Sequence, residues 1–279
     1  MDQPINLAEL TTKELLNLYK LTAVPLLEVA EDNAMVSEER QAAKFNSLTA
    51  ALEGEGFFFV VNLHTMELQD IYGVEKLLGY SHHSFDFYRY LDIVHPSHVY
   101  PNTEASKATL TGLYKGEIPL HFYTHRYNSE IALRKYDGNY IFCKRTACVF
   151  QFNKKNQLTA YINIFTVIST EYTGQPFSVS SASDEGENAT ILHDLLELAK
   201  RNFEKLKYFT DREMDVLEQY AYSEGNRVPV SEIALRLGVE KSTVIEYNKR
   251  IISKAEIPFR KKFSSAYDVA LQLKKAKLI

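Results

Sequence analysis

Near its C-terminus the chain reads SEIALRLGVEKSTVIEYNKRI, Ser231 to Ile251. Two apolar-periodic segments flank one glycine. Ile233, Ala234 and Leu237 recur at helical spacing before Gly238. Val244, Tyr247 or Asn248, Ile251 and Ile252 do so after it. A residue without a Cβ at Gly238 permits a tight turn between two helices. An alanine early in such a pair suits close helix approach.

Working outward, FTDREMDVLEQYAY predicts a preceding helix. Thr210 is its N-cap and Glu213 sits at the capping-box spacing. Met214, Val216, Leu217 and Tyr220 supply its apolar stripe. SSAYDVALQLKKAKL predicts a last helix, capped by Ser264 or Ser265. From Leu206 onward there are fourteen Lys and Arg against ten Asp and Glu, a net of +4 within a chain of −4. Four short helices, a glycine turn and positive charge favour a helix-turn-helix domain over a plain bundle. An acidic body with a basic tail suggests a polyanion partner for that tail.

FTDREMDVLEQYAYSEGN, SEIALRLGVEKSTVIEYNKRIISKAEI and FRKKFSSAYDVALQ together resemble the LuxR-type DNA-binding domain. The T-x-R-E-x-x-V-L opening, E-I-A-x-x-L and S-T-V fall in the family's order. The resemblance implies that the third helix enters the major groove of double-stranded DNA and the fourth mediates dimer contacts. It assigns Lys241, Ser242, Thr243, Ile245, Glu246, Lys249, Arg250 and Lys254 to the DNA-binding face. Lys241, Lys249, Arg250 and Lys254 would supply phosphate-facing charge, with Ser242 and Thr243 as hydroxyl donors. Three features depart from the pattern. The loop YSEGNRVPVSEI is long and lacks the common Asn-Lys. Ile245 stands where a lysine or polar group often faces bases, and Glu246 follows it. Ile245 suits a thymine methyl, and Glu246 suits a cytosine amino group or else opposes phosphate.

Residues 55–170 read as two strands, short helices, a longer helix from Asn102 that stops at Gly116, and three antiparallel strands, the first over HFYTHRYNSEIALRKY. Asn62 to Thr65 and Asp137-Gly138 mark turns, and NKKNQ marks a weaker one. In the last strand Ile162, Ile164, Thr166 and Ile168 share one face, and Tyr161, Asn163, Phe165 and Val167 the other. Such a sheet needs cover on both sides. VEKLLGYS, YLDIVHPSHV and LRKYDGNYIF, in this order, resemble a PAS domain. Ser97 and His98 after His95-Pro96 depart from its usual acidic residues. The resemblance implies a signal-sensing or contact-making module. Whether its interior holds a small-molecule ligand or is filled by Phe58, Tyr80, Phe122, Phe142 and Phe165 is open. No cofactor is evident. No cysteine precedes Cys143, which disfavours the flavin-photoreceptor chemistry of the family. His82, His83, His95 and His98 lie where a haem ligand could sit, although each is more simply a surface or capping residue. His121 and His125 share a strand face but lack a third metal ligand.

The fold class is therefore α+β. It comprises an N-terminal helical region (1–54), a PAS-like antiparallel sheet with helices (55–170), a linker and connecting helix (171–205), and an all-α four-helix helix-turn-helix domain (206–279). The N-terminal helices, one capped by Thr11 or Thr12 and another ending at Gly54, pack on the next domain or on a partner chain. Leu192, Leu195, Ala199, Asn202 and Leu206 form a short heptad seam, a candidate dimer contact. Cys143 and Cys148 point to opposite faces, so no disulfide joins them. No run approaches a membrane span and no secretory signal is evident, so a cytoplasmic location is expected. No phosphate-binding loop, nucleophile elbow or metal-binding helix motif points to an enzyme. The sequence thus reads as a bacterial transcription regulator binding promoter DNA as a homodimer, with RNA polymerase a further candidate partner. Its rivals are an interaction adaptor with a degenerate helix-turn-helix, and a cofactor-based sensor.

Overall fold

The computed structural model describes residues 11–23, 34–114, 120–123, 126–180, 209–223, 227–259, 261–276 and 278–279. The heptad seam, Gly116 and His125 lie outside them. The described chain is α+β. Six strands form one antiparallel sheet in the order β2-β1-β5-β4-β3-β6. They are β1 (Gly56–Asn62), β2 (Glu67–Tyr72), β3 (Arg126–Arg134), β4 (Tyr140–Phe152), β5 (Leu158–Ser169) and β6 (Ser178–Ser180).

Local chemistry sets the turns. The Asn62 side-chain oxygen accepts from the backbone N–H groups of His64 and Thr65, which closes the β1–β2 turn. Gly138, at φ 89°, closes the β3–β4 hairpin with its N–H on the Lys135 carbonyl. Alternation then sorts side chains between faces. On one face Phe57, Phe59, Ile131, Cys143 and Phe165 join a core with helices α3 (Val74–Leu78), α4 (Phe87–Ile93) and α5 (Pro96–Tyr114). On the other, Phe58, Val60, Cys148, Phe150, Ile162 and Ile164 pack under α2 (Glu38–Leu52) through Phe45 and Leu52. Cys143 and Cys148 are buried free thiols on opposite faces. Burial pushes each thiol up to about 12.

The N-terminal helices pack on the sheet domain. Helix α1 (Thr12–Ala23) lies against α4 and α5, with Leu15 in the core. Thr11 and Glu14 cap each other: the Thr11 N–H donates to the Glu14 carboxylate, and the Glu14 N–H to the Thr11 hydroxyl. Helix α2 starts on the Ser37 cap and ends at Glu53 and Gly54, both at positive φ.

Three expectations shift. The long helix begins at Pro96 and takes in Pro101, because a proline fits the first helical position and α5 tolerates a second. The strand expected over HFYTHRYNSE begins only at Arg126, after a turn at Phe122 and Tyr123. The segment read as linker carries β6, paired with β3 at Asn128–Glu130, with Phe177 and Val179 buried. Its serines masked the alternation. Of the residues proposed to fill the interior, Phe58 and Phe122 belong to the outer face under α2.

The C-terminal part holds α6 (Asp211–Ala221), α7 (Val230–Leu237), α8 (Lys241–Phe259) and α9 (Ala266–Lys275). Val216, Leu217, Tyr220, Ile233, Val244, Ile251, Val269 and Leu273 form its core. Thr210 and Glu213 form a complete capping box on α6. Ser265 caps α9. Helix α7 starts at Val230, directly after Pro229. Gly238, at φ 64°, ends it and turns the chain into α8.

Candidate functional site

Helix α8 buries one side and presents the other. Val244, Ile251 and Ala255 are fully buried. Lys241, Ser242, Glu246, Lys249 and Arg250 are exposed, as is Ile245 at 40%. Thr243 is half-buried. Leu235 on α7 stands out at 81% exposure, a second apolar group on an otherwise polar surface.

The acids on this face are engaged locally. The Lys249 ammonium donates to the Glu246 carboxylate at 2.8 Å. That bond, with the charges of Lys249 and Arg250, holds the Glu246 carboxyl below its usual range. The Ser242 hydroxyl donates to Glu240 at 3.1 Å. Lys254 has a different setting. Its ammonium lies 2.6 Å from the Glu213 carboxylate, which is 1% exposed. Burial alone would raise the Glu213 pKa. The Lys254 bond and the Thr210 cap outweigh it and leave the group lowered. Glu213 therefore has two jobs, closing the α6 cap and tying α6 to α8. Lys254, assigned to the DNA-facing set, is bonded to the domain's own frame. The T-x-R-E spacing carried the cap; nothing in it signalled the bond to Lys254.

The other end of α8 meets the sheet domain. The Phe259 ring packs edge-on against Tyr100 of α5, centroids 5.4 Å apart. Two positions along, the Asn102 side-chain oxygen accepts from Arg145 on β4 at 2.9 Å. Pro101 separates the two and has no N–H to give to the helix ladder. One helix turn thus touches both the inner face of the sheet and the C-terminal domain.

That inner face holds a polar cluster that sequence reasoning missed. Arg145 (4% exposed) donates through Nε to the Asn163 Oδ1 at 2.8 Å, as well as to Asn102. Ser129 is the cross-strand partner of Arg145 on β3, and Phe165 its partner on β5. The Tyr90 ring lies against Phe165 and Phe59. The available signal was phase: Ser129, Arg145 and Asn163 occupy core positions of strands whose neighbours alternate apolar.

His98 is a structural residue. Its Nδ1 accepts from the Ala132 N–H at 3.0 Å, so the proton sits on Nε2, which donates to the Gln175 carbonyl at 2.9 Å. The ring ties α5, β3 and the loop before β6 together. Burial lowers its pKa to about 3, against the Gln175 bond and with help from the charges of His95 and Lys261. Both ring nitrogens are used, so this geometry leaves no axial haem ligand here. His82, His83 and His121 are exposed. Among the described residues no group of acidic, histidine and cysteine side chains could hold a metal, and no helix is long and apolar enough to cross a membrane.

No family model matches the chain, and no curated protein matches it. Solved structures do. One describes the VqmA dimer of Vibrio cholerae in work on LuxR-type receptors: 15% identity, 83% of this chain, 89% of that chain, TM-score 0.27. A phage VqmA–DPO complex is 11% identical over 79% of this chain and 88% of that chain, at TM-score 0.29. SdiA in complex with octanoyl-rac-glycerol is 12% identical over 95% and 93%, at TM-score 0.24. All three TM-scores lie below the range of a shared overall superposition.

Proposed function

We propose that the chain is a cytoplasmic bacterial transcription regulator, with a PAS-type sheet domain that senses a signal and a LuxR-type C-terminal domain that binds promoter DNA as a dimer. One observation carries the reading. Behind the Gly238 turn, α8 is anchored by Val244 and Ile251 and offers solvent the row Lys241, Ser242, Ile245, Glu246, Lys249 and Arg250. A basic, partly apolar helix face held rigidly from behind suits phosphate contact and base-edge contact together.

The contact at Tyr100 and Phe259 supports a direct route for the signal. A change at the inner face of the sheet that shifts Asn102 would act on α5 beside Pro101. It would then bear on α8 about 15 Å from Lys249, at 1.5 Å per residue. A signal favouring one α5 position would shift the population of C-terminal domain orientations.

Genomic footprinting with the intact protein tests the reading. Protection of discrete promoter segments is expected, and uniform absence of protection would overturn it. A second reading, an interaction adaptor, draws on Glu240 and Glu246, which engage Ser242 and Lys249 and reduce the charge offered to phosphate.

A further inference from the structure

Strand β2 carries a bulge. Val60 pairs with Gln69 and Phe58 with Tyr72, so Asp70 and Ile71 together oppose the single residue Phe59. Phe58, Val60 and Tyr72 belong to the outer face of the sheet, under α2. Counting back from Tyr72, Ile71 packs on the inner core and Asp70 is returned to the outer face. A regular strand running on from Gln69 would turn the same carboxylate inward, toward the core around Phe59. Asp70 takes φ 49° at the bulge, left-handed backbone at a residue with a Cβ. Strain of this kind gathers at functional sites.

Asp70 lines a cleft of about 380 Å³ on that outer face. Val60 and Phe150 supply an apolar floor, and Gln41, His64 and Gln69 stand with Asp70 around it. The side of the cleft at Ala34 is stapled in place. The Gln151 oxygen accepts from the N–H groups of Met35 and Val36, and its Nε2 donates to the Val36 carbonyl. Gln41 of α2 donates to the Phe150 carbonyl at 3.4 Å, which leaves its own oxygen to accept. No lysine or arginine lines the cleft, and the Asp70 carboxylate has no hydrogen bond or ion pair among the described residues. Partial burial raises its carboxyl above the ordinary carboxylate range, with no opposing charge to offset it. A strained, partly desolvated and unpaired carboxylate costs the fold free energy, and a cation supplied from outside would recover it.

We propose that this cleft binds a small organic amine, its ammonium paired with the Asp70 carboxylate and its hydrocarbon stem laid on Val60 and Phe150. The ammonium has three donors, and the Gln41 oxygen is a second acceptor within the same cleft. An apolar floor with a few polar groups is the usual form of a small-molecule site. The proposal goes beyond the regulator reading and does not depend on DNA binding, because the cleft lies on the face of the sheet away from α5.

The test is ligand-observed NMR on the full chain, with butylamine and ethanolamine as probes and butanol and ethylene glycol as their uncharged matches. Binding is expected for the amines alone. Asp70→Asn, which removes the charge and tolerates left-handed backbone, should weaken it about tenfold or more. Glu67→Gln, on the same strand and outside the cleft, should leave it unchanged. Asp70→Gly should abolish amine binding while holding or raising the Tm of the free protein, since glycine relieves the strain. No amine binding, equal binding of the alcohols, or equal weakening by Glu67→Gln would overturn the proposal. So would a fall in Tm of several degrees for both Asp70 variants, which would mean that the carboxylate serves the fold. None of these readouts involves DNA, so failure of the DNA-binding reading would show separately in the footprint.

Discussion

Arg145 and Lys249 are both basic residues, and the two domains use them in opposite ways. Arg145 lies inside the sheet domain, 4% exposed and bonded to Asn163 and Asn102. Lys249 stands on the surface of α8 and donates to its neighbour Glu246. A buried guanidinium constrains everything around it, because each of its partners must be placed to fit. An exposed ammonium is held loosely and stays available to an incoming anion. The sheet domain thus hides its polar chemistry, and the helical domain displays its own. Lys254 and Glu213 fall between: a half-exposed ammonium on a buried carboxylate, serving the fold.

The comparison is most easily broken by acid. His98 is neutral in the fold with its pKa lowered to about 3, while the unfolded chain takes up a proton near 6.5. Below that value the unfolded state binds more protons than the native state. Stability should therefore be full above pH 6.5 and fall toward pH 3, by up to about 1.4 kcal/mol per pH unit from this residue. Urea unfolding across that range should show the decline, and His98→Gln should flatten it. An equal slope in the variant would remove His98 from the account.

Glu213→Ala comes next. It deletes the reciprocal cap and leaves Lys254 beside an apolar gap, so a loss of about 2–3 kcal/mol is expected in chemical denaturation. Because the Glu213 pKa is lowered in the fold, its contribution is present above about pH 4.5 and lost as pH falls below it. A loss under about 0.5 kcal/mol would mean that Glu213 is a surface residue in solution.

A double-mutant cycle on Tyr100→Ala and Phe259→Ala should give a coupling of about 1 kcal/mol, the size of an aromatic pair beyond its buried area. Zero coupling would separate the two domains and remove α5 as the route between them. The smallest effect separates two lysines. Lys249→Ala should reduce the salt slope of DNA binding by about 0.9 per chain with stability unchanged. Lys254→Ala should lower stability and leave the slope nearly alone. The reverse result would place Lys254 on phosphate.

Much of this fold is legible in the sequence because its signals are local. Thr210 and Glu213 announce a cap, Gly238 a turn, Asp137-Gly138 a hairpin, and the phase of Ile162 and Phe165 the two faces of β5. What was not legible depends on partners distant in sequence. Arg145 and Asn102 are 43 residues apart, and Lys254 and Glu213 are 41 apart. Ser129, Arg145 and Asn163 stand in three separate strands, and only strand register brings them together. The β6 strand is short, and Phe177 and Val179 sit among serines, so pairing with β3 rather than propensity defines it. The exposure of Ile245 and Glu246, by contrast, follows from the same helical phase that buries Val244 and Ile251.

The central claim is that the exposed face of α8 contacts DNA phosphates. The direct measurement is the affinity of the full chain for random-sequence duplex between 50 and 200 mM salt. Six or more phosphate contacts per dimer give a log–log slope of about −5 or steeper. Glu246→Lys, which adds a cation to the face, should strengthen binding and steepen that slope by about 0.9 per chain. No binding at about 50 mM salt, or a slope that Glu246→Lys leaves unmoved, would contradict it.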